Sequence, residues 1–321
     1  MPPARSERDA ASRVVSGFTV ATAWSQPSSR ASGTNTGARK ISGKKIAKNR
    51  LPGWWIILVI DRRVSLWLAN VAQLTRRSMT RILHQPGSLF FALFFPLVFL
   101  AVIANGLSPA DGLPGFPGDT YLDFAIAIPF VHGALFSSSS AATELARDIE
   151  TGFLNRLALT PASGAPLVLG HLIAAVVLGI AQACLYFVIA LAVGVNFHAG
   201  PAGVLVLIAL ASLVCLSFGA LGTAVALRTG SSEAVLGLFP LFFVALFLSS
   251  LNLPRNLIEA DWFRWIATLN PVSYEIEGIR SLVVVGWDAQ ALALGFACGL
   301  ALVAVALALS RAAFRERLAR T

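Results

Sequence analysis

Glu144, Arg147, Asp148, Glu150 and Arg156 fall within ELARDIETGFLNRLALTP, Glu144 to Pro161, an island of charge inside a long apolar stretch. Side chains of this kind are too costly to leave in hydrocarbon, so the island belongs at an aqueous boundary. Their chemistry is ion pairing and docking. The segment reads as a tight polar connection between two membrane-crossing helices, where a membrane protein touches a soluble partner. No reacting constellation accompanies it. The four histidines, His84, His132, His171 and His198, are scattered and read as satisfied polar or interfacial groups. Cys184, Cys215 and Cys298 lie inside apolar runs and read as buried small residues. The sequence has no C-x-x-C pair and no His/Cys cluster that would hold a metal, and no G-x-S-x-G or H-E-x-x-H. Gly43-Lys44-Lys45 has no strand before it and no Ser or Thr after it, so it is not a phosphate-binding loop. No catalytic residue, metal or resident cofactor is expected, and the chain does not read as an enzyme.

The elements that position this island are membrane helices. Of the 321 residues 56% are hydrophobic and 13% charged, with a mean hydropathy of +0.73. A soluble protein of this length would lack a polar coat. The ten-residue alternation of a membrane barrel is absent. The expected class is an all-α membrane protein surrounded by lipid, with no nucleic-acid partner.

Residues 1–50 are rich in Arg, Lys, Ser, Gly, Thr and Pro without apolar period, and read as a disordered basic tail. Residues 51–86 form a cytoplasmic segment. Its run Trp54 to Ile60 is too short to span. From residue 64 a basic amphipathic helix follows. Val64, Trp67, Leu68, Val71, Leu74, Ser78 and Ile82 fall on one face; Gln73, Arg76, Arg77, Thr80, Arg81 and His84 fall on the other. It should lie in the headgroup region and end before Pro86. A six-span domain occupies 87–315, with spans near 87–107, 120–143, 167–195, 202–227, 233–251 and 289–310. Residues 252–288 read as short helices dipping into the outer leaflet before the last span, with Asn270-Pro271 as cap and first residue of the second piece. Residues 316–321 are a cytoplasmic tail.

Orientation follows from Lys and Arg. With both termini cytoplasmic, 22 of them lie inside and 3 outside; counted from residue 51, 12 lie inside. The charged island is then cytoplasmic, in a multi-pass protein of the cytoplasmic membrane.

Intramembrane acids that would serve ion-coupled transport are scarce. Asp123 and His132 alone come near, either as polar groups facing the bundle interior or as groups that touch cargo. Outside, Glu275, Glu277 and Arg280 lie beside apolar faces, as pairs that anchor a gate or as exposed, weak ion pairs.

With no nucleotide site and no ion relay, a transporter of this kind must take energy from another chain. Here the sequence resembles the ABC-2 type permeases, the membrane halves of ABC exporters. Glu144, Asp148, Glu150, Gly152, Arg156, Leu157, Thr160, Pro161 and Gly170 match the family's loop after the second span. LNPVSYEIEGIR, Leu269 to Arg280, is similar to its outer stretch before the last span, and the helix ending at Pro86 to its interface helix. The resemblance covers about residues 64–315, and among members it is nearest the daunorubicin-resistance type of drug-export permease. It implies that the loop residues Glu144 to Pro161 couple to an ATP-binding subunit carrying ATP and Mg, and that Asn270, Pro271, Glu275, Glu277 and Arg280 shape an outer gate. It also implies a homodimer, or a pair with a similar permease, exporting hydrophobic or amphipathic drug-like or lipid-like molecules by alternating access. Residues 150–158 are expected to form the coupling helix, stopped by Thr160-Pro161. A lipid-linked glycan exporter and a non-transporting membrane scaffold are the competing readings.

Overall fold

Proline and glycine punctuate the helices. The structure is a computed structural model that describes residues 54–118, 120–158 and 165–320. They lie in one unit, Gly53–Thr321. Among the described residues the secondary structure is helical, with no strand.

Helix α1, Trp54–Leu83, is continuous, so the run at Trp54 to Ile60 opens the amphipathic helix and is not a separate segment. Pro86 then serves as first residue of α2, Pro86–Gly106, where its missing N–H costs no helical hydrogen bond. Helices α3, Tyr121–Ala125, and α4, Ala127–Glu150, together make the second long apolar rod. Pro129 has no N–H to offer the carbonyl of Ala125, and the ladder breaks at Ile126. After Gly152, at φ 71, comes the short α5, Phe153–Ala158. Helix α6 is Ala165–Ala192, and α7 is Gly200–Thr229, ended by left-handed Gly230. Then come α8, Ser232–Leu236, and α9, Leu238–Phe247. Two further helices, α10, Asp261–Leu269, and α11, Pro271–Val284, precede the final α12, Ala289–Arg320.

Five of these rods are long and apolar enough to cross a bilayer: Pro86–Gly106, Tyr121–Glu150, Ala165–Ala192, Gly200–Thr229 and Ala289–Arg317. The fifth position in the expected series, 233–251, differs. Pro240 lies in the first turn of α9 and interrupts the helix at Gly237. The apolar pair Ser232–Phe247 is shorter than the long rods, roughly 24 Å at helical rise against a core of about 30 Å.

The second rod is the centre. In its apolar stretch 83% of residues are buried, against 22% for α2 and 28% for α12. It packs on α6 and α7, while α12 packs on α7 and α11. The main core joins Phe124, Phe130 and Leu135 to Leu207, Leu210, Ile276 and Ile279. The outer faces of α2, with Phe90, Phe94, Val98 and Val102, are exposed in the single chain. Cys184 is exposed too, against the expectation of burial, while Cys215 is buried and Cys298 intermediate.

Candidate functional site

The charged island is mostly helix, where the sequence had suggested a polar connection. The second rod runs on to Glu150, so Glu144, Arg147, Asp148 and Glu150 are its last two turns. A hydropathy count ends the span at residue 143 because it registers charge. The helix continues because Ala141, Ala142, Glu144, Leu145 and Ala146 are good helix formers and the charges find partners.

Asp148 is 1% exposed. Arg77 of α1 grips it at two points, Nη1 to Oδ2 at 2.9 Å and Nη2 to Oδ1 at 2.8 Å. Arg81 Nη1 donates to the same Oδ1 at 2.7 Å. His171 Nε2 of α6 lies 3.5 Å from Oδ2. One turn earlier, Glu144, 5% exposed, accepts from Arg147 at 2.8 Å and from Gln85 Nε2 at 3.0 Å. Arg77 and Arg81 are therefore not simply headgroup-facing, as their place on the polar face of α1 implied. A paired, two-point contact is the arrangement in which a buried carboxylate can remain charged. Gly170 makes the approach possible. A Cβ there would lie 2.9 Å from Leu74 Cβ and 3.2 Å from Thr75 N, so α1 rides directly on α6. The signal was present in sequence: Arg77 and Arg81 are four apart, as are Glu144 and Asp148, and two such pairs can register face to face.

The short helix is placed differently from the expected 150–158. It begins at Phe153, after the Gly152 turn, and Glu150 belongs to the preceding rod. Leu154 is 4% exposed, and the Arg77 guanidinium lies 4.0 Å from the Phe153 ring centroid. Arg156 is exposed and donates to the Thr151 carbonyl at 3.1 Å. Glu150 accepts from Ser232 Oγ at 3.0 Å, joining the end of the second rod to the start of α8. The side chain of Leu157, and Thr160 and Pro161, lie outside the described residues.

Beside this cluster is a cavity of about 280 Å³ between the α1–α2 corner, α4 and α8–α9. Gln85, Ser139, Ser140 and Glu144 make its polar side, and Phe91, Phe136 and Phe239 its apolar side. Above it lies an aromatic cluster around His132, whose ring centroid is 5.1 Å from both Phe99 and Phe243. His132 Nδ1 donates to the Ile128 carbonyl at 2.9 Å, and Nε2 has no partner. Asp123 is not brought to His132. It is tied into the N-terminal turn of α3, where Thr120 Oγ1 donates to its carboxylate at 2.7 Å and accepts from its backbone N–H at 3.2 Å.

The outer residues also separate. Asn270 caps α11, accepting from Val272 N at 3.0 Å, and Pro271 is the first helical residue. Arg280 pairs with neither glutamate. It is 5% exposed and donates to three carbonyls, Phe124 at 3.0 Å, Ser250 at 3.0 Å and Leu251 at 2.8 Å. Its guanidinium also lies 3.5 Å from the Phe124 ring centroid. Glu277 pairs with Arg255. Glu275 is fully buried and neither oxygen has a hydrogen-bond partner. No group of three or more potential metal ligands occurs among the described residues.

Residues 69–284 match the family described as ABC-2 type transporter. A probable doxorubicin resistance ABC transporter permease protein, DrrC, of Mycobacterium tuberculosis is 23% identical over 242 residues. The match spans 75% of this chain and 84% of the relative, with the same figures in two strains.

Proposed function

The chain belongs to the ABC-2 type transporter family, and from that premise we propose that it is the membrane permease of an exporter driven by a separate ATP-binding subunit. It is a multi-pass membrane protein. The proposed topology has six crossings with both termini cytoplasmic, the short Ser232–Phe247 pair serving as the fifth and α10–α11 returning through the outer leaflet. ATP and Mg belong to the partner, and the working unit holds two permeases.

One observation carries this reading: Asp148 joins α1, the most buried rod and α6 at a single point, and the exposed Arg156 follows it across the Gly152 turn. A push received at α5 is passed to three helices together, because α1 cannot move without breaking its charged contacts to Asp148 and α6 is packed against α1 at Gly170. Alternating access then follows from the partner's ATP-driven closure. The residues proposed to couple to the ATP-binding subunit are Glu144, Asp148, Glu150, Gly152, Arg156, Leu157, Thr160 and Pro161. Asn270, Pro271, Glu277 and Arg280 brace the outer side, with Glu275 packed beneath them.

Cargo is of the flat, hydrophobic or amphipathic kind. The aromatic wall around His132 and the cavity with one polar side support that class, since stacked rings favour planar apolar ligands. The DrrC relative, named for doxorubicin resistance, supports it independently.

The test is co-expression with a candidate ABC ATP-binding subunit, then doxorubicin efflux and ATP turnover in vesicles. Exchange of Arg156 and Leu157 for alanine is expected to leave insertion and ATP turnover in place while export is lost. Full export by that double variant overturns the coupling assignment. Insertion without any ATPase association favours the scaffold reading.

A further inference from the structure

A groove of about 590 Å³ opens between α6, α7 and α12, away from the Asp148 cluster. Val168, Leu172, Leu307 and Phe314 form its apolar walls, and Arg311 and Arg315 stand at its mouth. No acidic residue lines it. Both arginines are exposed, and neither has an ion pair or hydrogen bond among the described residues. The nearby Glu316 is turned to Arg228, at 3.9 Å. Deeper along the same helices, Ile173 and Val177 of α6 and Leu300 of α12 are exposed apolar side chains.

We infer that this groove is a binding site for an anionic phospholipid, its phosphate held by Arg311 and Arg315 and its acyl chains laid along α6 and α12. Three features select that occupant. Two guanidiniums four residues apart on one helix present a fixed double donor, which suits a phosphodiester. The groove combines two arginines with apolar walls, matching a headgroup above chains. The apolar surface continues into the region that faces hydrocarbon, so a soluble anion would leave most of the site empty. Basic pockets at the ends of membrane helices hold anionic headgroups for these reasons. Placement in the inner leaflet rests on the topology proposed above; the lipid class does not.

The test uses the purified full chain in dodecylmaltoside with equal amounts of phosphatidylglycerol and phosphatidylcholine, with bound lipid counted by native mass spectrometry. The wild type is expected to retain phosphatidylglycerol over phosphatidylcholine by about 10-fold. R311Q/R315Q should lose the preference, R311K/R315K should keep most of it, and R228Q, which removes an exposed charge that does not line the groove, should keep all of it. Equal retention by R311Q/R315Q overturns the site. So does competition by millimolar inorganic phosphate to the same extent as lipid, which makes it a free-anion site. Loss of dimer by R311Q/R315Q with unchanged lipid also overturns it, because the occupant is then a second copy. Failure of doxorubicin export leaves all these readouts intact, so the two proposals fail separately.

Discussion

Arg77 and Asp148, 71 residues apart, meet in a parallel two-point contact with donor distances of 2.9 and 2.8 Å. Asp148 is almost wholly buried while Arg77 keeps 30% of its side-chain surface. The pair fixes α1 against the end of the central rod.

D148N removes the charge that two arginines share and leaves Arg77 held over a neutral amide. Breaking one side of a buried pair costs about 3 kcal/mol. The expected result is a lowered melting temperature in detergent and loss of export with ATP turnover retained. R77K should be nearly as damaging, since an ammonium cannot reproduce the parallel contact. A melt of D148N superimposable on wild type would remove Asp148 from the role given to it.

Arg280 should be the most sensitive outer residue. Its three carbonyl partners come from the start of the central rod and the turn after α9, and without it they are buried and unsatisfied. R280A is expected to cost about 3 kcal/mol and to speed amide exchange across residues 248–258, where R280K recovers part of the protection. Unchanged exchange in R280A would show that the turn is held by other contacts.

Glu275 is a buried carboxyl with no hydrogen-bond partner for either oxygen, so its polar group is desolvated without compensation. E275Q, which keeps the shape and can carry no charge, is expected to melt no lower than wild type in detergent. A clearly lowered melt in E275Q would show that the carboxyl itself makes a contact the fold needs.

The class of protein was legible in the sequence alone. Apolar runs interrupted by prolines and short polar turns give the long helices, because hydropathy and helix breaking are local properties. The cap at Asn270-Pro271, where Asn270 accepts from Val272 N, was legible for the same reason. Family membership was legible because the loop and outer motifs keep their order and spacing along the chain.

The partners of the charges came from the fold. Charge at Asp148 reads locally as something to be kept in water; in the structure it is inside, because α1 arrives from more than 60 residues away with two guanidiniums and Gly170 lets it come close. Arg280 reads as one half of an ion pair with a neighbouring glutamate, yet it is spent on carbonyls of two distant turns. The break at Gly237 shows the limit from the other side: the apolar stretch predicts a full crossing, and the backbone needs of Pro240 shorten the helix. Composition and period determine which segments enter the membrane. The pairing of each buried polar group is a long-range property, settled only when the helices pack.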